Sequence, residues 1–221
     1  MNAFRSPRVK ICGLTTEKDV VAAADAGATY VGFVFFSASP RNITIEQASN
    51  VILATPVGVA KVGLFVNPSD RELEATLLQV PLDFLQLHGD ETPKRVREIR
   101  ERFGLPVIKS VGISTQQDVM QISAFEAFAD QILCDAKPKP GAAIPGGAGT
   151  VFEWRLMAGR NWIRPWLLAG GLTPENVAKA IRESGACQVD VSSGVESKRG
   201  VKAPEKIRAF CQSVKMIVAD Q

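Results

Sequence analysis

Histidine is almost missing from this chain: its 221 residues include one, alongside a single tyrosine and four cysteines. The cysteines (Cys12, Cys134, Cys187 and Cys211) show no C-x-x-C spacing. With one histidine the common zinc sites lack ligands, so no metal is expected. No apolar run reaches the length of about 18 residues that a membrane span needs, and no membrane partner is expected. Met1 to Arg8 is short and polar, without the apolar centre of a signal peptide, so a reducing, cytoplasmic setting is expected. An excess of charge of either sign is also lacking. Lys and Arg total 26 against 23 Asp and Glu, a net +3, and the basic residues are scattered. Nucleic acid is therefore not expected as a partner. The slight positive bias suits an anionic metabolite.

Hydrophobic residues make up 46% and charged residues 22%, the mix of a water-soluble globular domain able to bury a core without staples. Short β-branched and aromatic runs alternate with segments apolar at helical spacing. The expected strands are Val9–Cys12, Tyr30–Phe35, Ala60–Val66, Phe84–Leu87, Pro106–Val111, Gln131–Asp135, Pro165–Ala169 and Gln188–Val191. Helices are expected to begin near Glu17, Ile45, Asp70, Pro93, Thr115, Phe152, Pro174 and Pro204. Thr92-Pro93 and Thr173-Pro174-Glu175 carry start signals, and Gly27, Gly104 and Gly185 stand where helices should stop. Eight units without a linker predict an α/β fold, a (β/α)8 barrel of parallel strands forming one domain over residues 1–221, in preference to an open sheet. The longest connection, Lys137 to Thr150, follows strand six and is rich in Gly and Pro, as functional loops on that face often are.

Side chains two apart share a strand face. Lys10 pairs in this way with Cys12, Gln86 with His88, Leu133 with Asp135, and Asp190 with Ser192. Cys12, His88 and Asp135 fall at the C-terminal ends of their strands, where barrels build their chemistry. By position alone each has a plain alternative: Cys12 as a small buried hydrophobe, Asp135 as an acceptor for loop amides, His88 as a satisfied rim histidine. Lys10 and Asp190 lie on strands that meet on closure and read as a structural ion pair. Gly170-Gly171 after strand seven and Ser193-Gly194 after strand eight let backbone amides approach an anion, which favours a phosphate there.

Several stretches together resemble the phosphoribosylanthranilate isomerase family. They are Val9-Lys10-Ile11-Cys12-Gly13-Leu14, Ser39-Pro40-Arg41, Leu85-Gln86-Leu87-His88-Gly89, Asp135, Gly146-Gly147-Ala148-Gly149 leading to Phe152-Glu153-Trp154, Gly170-Gly171-Leu172, and Asp190 to Glu196. Ala148 and Glu153 depart from the family's usual Thr or Ser and Asp. The resemblance implies an aldose–ketose isomerase of tryptophan biosynthesis that performs an Amadori rearrangement without cofactor. It implies Cys12 as general base, Asp135 as general acid, Arg41 and His88 on the substrate, and Gly170, Gly171, Ser193 and Gly194 on its phosphate. A free thiol titrates near ~8.5 and a free aspartate near ~3.9, so both need tuning by their surroundings. The partner implied is a small phosphorylated substrate, and the chain is expected to be a monomer or homodimer. Two rivals are a barrel isomerase of histidine biosynthesis, which typically carries aspartate where Cys12 stands, and a non-catalytic phosphate-sugar binder. Of the thiols, Cys12 is expected to face the mouth and alkylate first. Cys134 should point outward beneath the helices, Cys187 should lie at the far end, and Cys211 should be buried by the last helix.

Overall fold

The computed structural model describes residues 7–137, 146–147 and 149–219, so most of the connection after strand six, Ala148 included, lies outside the described residues. Eight parallel strands close in chain order into a barrel. They are β1 (Arg8–Cys12), β2 (Tyr30–Phe35), β3 (Ala60–Phe65), β4 (Phe84–Leu87), β5 (Val107–Ile113), β6 (Gln131–Ala136), β7 (Trp166–Leu168) and β8 (Gln188–Val191). The helices are α1 (Glu17–Asp25), α2 (Ile45–Val51), α3 (Asp70–Leu77), α4 (Pro93–Phe103), α5 (Gln116–Gln121), α6 (Ser123–Glu126), α7 (Val177–Ser184) and α8 (Pro204–Ala219). Barrel strands are covered on both faces, which is why they run almost continuously apolar.

Alternation divides each strand between two cores. Outward side chains such as Val9, Ile11, Val31, Phe33, Leu85 and Ile132 pack beneath the helices. Inward ones stack in layers: Tyr30, Val62, Ile108, Leu133, Leu167 and Ala169 form the middle, and Cys12, Val34 and Leu64 form a smaller group. Below them Tyr30 Oη donates to Gln188 Oε1 at 2.9 Å, and Gln188 Nε2 donates to Gln131 Oε1 at 3.3 Å, so the buried polar groups at the barrel floor satisfy one another. Phe33 is fully buried. Phe33→Ala is expected to lower stability by about 3–5 kcal/mol, read as a lower urea midpoint with the transition slope unchanged.

Helix starts follow the hydroxyl signals. Thr16, Thr44, Ser69, Thr92 and Thr115 each accept a hydrogen bond from an amide in the first turn of the helix they precede. Gly104 (φ 67°) and Gly185 (φ 74°) close α4 and α7 in the left-handed conformation. Three expectations need correction. The segment from Phe152 forms only a 3-10 turn, Trp154–Met157. The helix near Thr115 is split into α5 and α6. The helix expected from Pro174 starts at Val177. There Asn176 Oδ1 accepts from the Thr173 amide at 2.8 Å while its Nδ2 donates to Gly171 O at 2.9 Å. That side chain ties the three preceding residues into an entry turn. An antiparallel hairpin absent from the sequence reading, β9 (Glu196–Lys198) and β10 (Val201–Lys202), follows β8 through a 3-10 turn, Ser193–Val195.

Candidate active site

The inner side chains at the C-terminal ends of the strands line two adjoining open cavities. One is walled by backbone and small side chains from three loops, including Gly146, Gly149, Gly170, Gly171 and Ser193. The other is largely apolar, with Cys12, Val34, Phe36, Leu64 and Val66 joined by Arg41 and His88. Asp135, Gly146, Gly147, Asp190 and Ser192 border both. The structure therefore brings Cys12, Arg41, His88 and Asp135 to one lobe and Gly170, Gly171 and Ser193 to the other. Gly194 is different. It does not line the cavity, and a Cβ there would collide with the carbonyl oxygen of Leu172. Its lack of a side chain lets the loop after β8 press against the loop after β7.

Asp135 closes β6 almost fully buried. Its Oδ1 accepts from the Ala136 amide at 2.8 Å, and its Oδ2 lies 3.3 Å from His88 Nε2. Gln86 Nε2 lies 2.9 Å from His88 Nδ1, so the ring is held between Gln86 and Asp135. Two glycines make room for this pair. A Cβ on Gly146 would sit 2.6 Å from His88 Nε2 and 2.7 Å from Asp135 Oδ2. One on Gly170 (φ 84°) would sit 2.7 Å from the Ala136 nitrogen. Both ring nitrogens of His88 are thus partnered, and the ring is held beside Asp135.

On the other side of the apolar lobe, Lys10 and Asp190 are register partners with Nζ and Oδ1 2.7 Å apart, the ion pair expected from strand closure. Burial disfavours the Lys10 charge, but Asp190 and the adjacent Cys12 outweigh it and raise the ammonium to about 12. Burial pushes the Cys12 thiol up, with Lys10 as the first opposing influence, and the balance stays on the raised side.

Arg41 is not a free clamp. Its Nε donates to Glu196 Oε1 at 2.6 Å, and Nη2 donates to Glu196 Oε2 at 3.0 Å and to Gly147 O at 3.3 Å. Lys202 Nζ donates to the same Glu196 Oε1 at 2.9 Å and to Ser192 O at 2.9 Å, while Ser192 Oγ donates to Cys12 O at 3.0 Å. The β9–β10 hairpin therefore braces the wall that carries both Arg41 and Cys12. Sequence reasoning missed Lys202 and this use of Glu196. The available signal was Arg199-Gly200, whose glycine takes φ 84° in a two-residue turn. It also missed Lys109 and Glu91, a buried pair 2.8 Å apart in which Glu91 accepts from the Asn67 and Gly89 amides and so fixes the loop following His88. Among the described residues, no group of three His, Cys, Asp or Glu side chains is arranged to hold a metal ion.

The family model described as N-(5'phosphoribosyl)anthranilate (PRA) isomerase matches residues 9–213. The chain belongs to that family. Relatives called N-(5'-phosphoribosyl)anthranilate isomerase include one from Cereibacter sphaeroides, 60% identical over 208 residues that cover 94% of this chain and 98% of the relative. One from Paracoccus denitrificans is 58% identical over 202 residues, covering 91% and 94%. Among solved structures, the phosphoribosyl anthranilate isomerase from Thermotoga maritima superposes with a TM-score of 0.86 at 39% identity, covering 95% of this chain and 99% of that one. A phosphoribosyl anthranilate isomerase solved with reduced 1-(o-carboxyphenylamino)-1-deoxyribulose 5-phosphate matches with a TM-score of 0.83 at 36% identity, over 95% and 99%.

Within this member of the isomerase family, Glu196 carries a pH signature. Burial works against its charge, but the bonds from Arg41 and Lys202 prevail and hold its carboxyl down at about 2, from an ordinary 4.5. A carboxyl lowered on folding adds stability that is present above its unfolded value and lost as pH falls toward the folded one. Glu196→Gln should therefore flatten the loss of stability between pH 4.5 and about 2, a contribution on the order of 3 kcal/mol. Urea titrations across that range check it. An acid limb identical to the wild type would remove Glu196 as its source.

Proposed function

We propose that the chain converts N-(5-phosphoribosyl)anthranilate to 1-(2-carboxyphenylamino)-1-deoxyribulose 5-phosphate, in tryptophan biosynthesis. The observation that carries this is the two-part cavity. A glycine-walled lobe suits a phosphate on backbone amides, an apolar lobe edged by Arg41 suits an aromatic carboxylate, and Asp135 stands at their junction. Phosphate binding is assigned to Gly170, Gly171 and Ser193, with Gly194 supporting them. The Arg41 Nη1 not engaged by Glu196 is assigned to the carboxylate. A bis-phosphate substrate, as in the histidine-pathway reading, is disfavoured by an apolar second lobe and by Cys12 in place of an aspartate. Free thiols at all four cysteines support a reducing compartment, the cytoplasm.

In the proposed cycle Asp135 Oδ2 gives a proton to the ribose ring oxygen. The C1–O bond breaks and the anilino nitrogen pair forms a protonated imine. Cys12 then removes the C2 proton, the C–H pair becomes the C1–C2 double bond, and the imine pair returns to nitrogen. The enol-amine tautomerises to the ketone. His88 Nε2, 3.3 Å from Oδ2, orients the acid. Incubation of the purified protein with phosphoribosylanthranilate tests the reading by loss of substrate fluorescence; unchanged fluorescence with folded protein would refute it. Arg41→Ala is expected to raise KM roughly 10- to 100-fold, the loss of a charged hydrogen bond. Inorganic phosphate should still compete with substrate in that variant. Loss of phosphate competition together with substrate binding would refute the assignment of two ends.

A further inference from the structure

We propose that Lys10 is the counter-cation of the Cys12 thiolate, a positioning residue for the base, and that Gly32 is the gap in which ammonium and sulfur meet. The proposal rests on the reading of Cys12 as the base. Lys10 and Cys12 share the inner face of β1, Lys10 fully buried and Cys12 4% exposed. On the adjacent strand Gly32 stands opposite Cys12. A Cβ there would lie 3.0 Å from Cys12 Sγ and 3.1 Å from Lys10 Nζ. The two atoms thus converge on a space that any larger residue would fill. Gly32 has no left-handed backbone to account for it, since it is not among the glycines of positive φ. A structural ion pair needs only Asp190 Oδ1, 2.7 Å away; it does not explain a glycine whose missing side chain leaves the ammonium and the thiol facing one gap.

A buried ammonium stabilises a thiolate and does nothing for a thiol. Asp190 opposes this, because its charge disfavours the thiolate, yet it keeps Lys10 protonated at about 12. Lys10 is therefore a fixed cation rather than a proton carrier. When the thiolate takes the C2 proton an S–H bond forms, the C–H pair moves to the C1–C2 bond, and Lys10 keeps its own proton. The other titratable groups facing Cys12 are Lys202 from β10, backed by Glu196 and Arg41, and across the lobe His88 and Asp135.

The test measures the thiol directly, apart from turnover. The pH dependence of Cys12 alkylation by iodoacetamide is followed by peptide mass in the intact protein, together with pH profiles of kcat and KM. Lys10→Met leaves Asp190 buried without a partner, so Lys10→Met/Asp190→Asn, which removes both charges, and Gly32→Ala, which removes neither, are measured beside it. The Cys12 midpoint is expected to rise by about one pH unit or more in the double variant, less the relief of losing Asp190, and in the same direction in Gly32→Ala. Turnover at neutral pH should fall about tenfold for each unit, recover at alkaline pH, and leave KM within about twofold. An unmoved midpoint in both variants would overturn the proposal whatever happens to activity. A midpoint that moves while turnover does not follow supports the pairing and refutes Cys12 as base.

Discussion

Replacing Asp135 with asparagine is expected to reduce turnover by about 10²- to 10⁴-fold, the usual worth of one acid–base group, with KM within a few-fold of the wild type. The amide has the shape of the acid. Its oxygen can keep the Ala136 amide bond now made by Oδ1 at 2.8 Å, and the spaces left by Gly146 and Gly170 still fit it. Both cavities should therefore remain, and with them substrate affinity. What is lost is a proton that can leave Oδ2 for the ring oxygen, so the barrier to ring opening rises by roughly 3–5 kcal/mol. Steady-state fluorescence kinetics on a variant whose thermal melt matches the wild type will decide it. Turnover near the wild-type level would take Asp135 out of the mechanism, and a large KM with unchanged kcat would reassign it to binding.

The barrel and half of this site were legible because they follow from short-range rules. Alternation along β1 and β8 put Lys10 and Asp190 on the inner face, and closure made them register partners, so the ion pair followed from sequence order alone. Cys12, His88 and Asp135 stood out as polar residues at the C-terminal ends of their strands. The hairpin was hidden, since strands of three and two residues are too short to show a period. The stabilisation of Glu196 comes instead from Arg41, 155 residues away. Thr173-Pro174-Glu175 carries every local sign of a helix start, yet a tertiary tie from Asn176 back to Gly171 delays the helix. Gly194 illustrates the same limit. Its sequence context marks a phosphate loop, while the contact that requires a glycine is with the Leu172 carbonyl.

Cys12→Ala is expected to fold normally and lose activity to a similar degree, about 10²- to 10⁴-fold. The thiol is packed beside Val34 and Leu64, and its deletion leaves a void smaller than those made by truncating a large core residue. Cys12→Asp, which supplies a carboxylate next to Lys10, should recover part of the lost rate. Chemical labelling gives the sharper comparison, and here the structure revises the order of reaction expected from sequence. Cys187 is the exposed thiol, whereas Cys12 is buried along with Cys134 and Cys211. Cys134 and Cys211 are further protected by burial that pushes their thiols up. Iodoacetamide should therefore label Cys187 first by access, with activity intact, and then Cys12, with activity falling in proportion. Because burial raises the Cys12 thiol, its labelling and kcat/KM should both climb as pH rises past neutrality. A product analogue seated in the apolar lobe should slow labelling at Cys12 and leave Cys187 unaffected. Peptide mass mapping beside residual activity tests all of this in one time course, and full activity with Cys12 completely alkylated would end its assignment as the base.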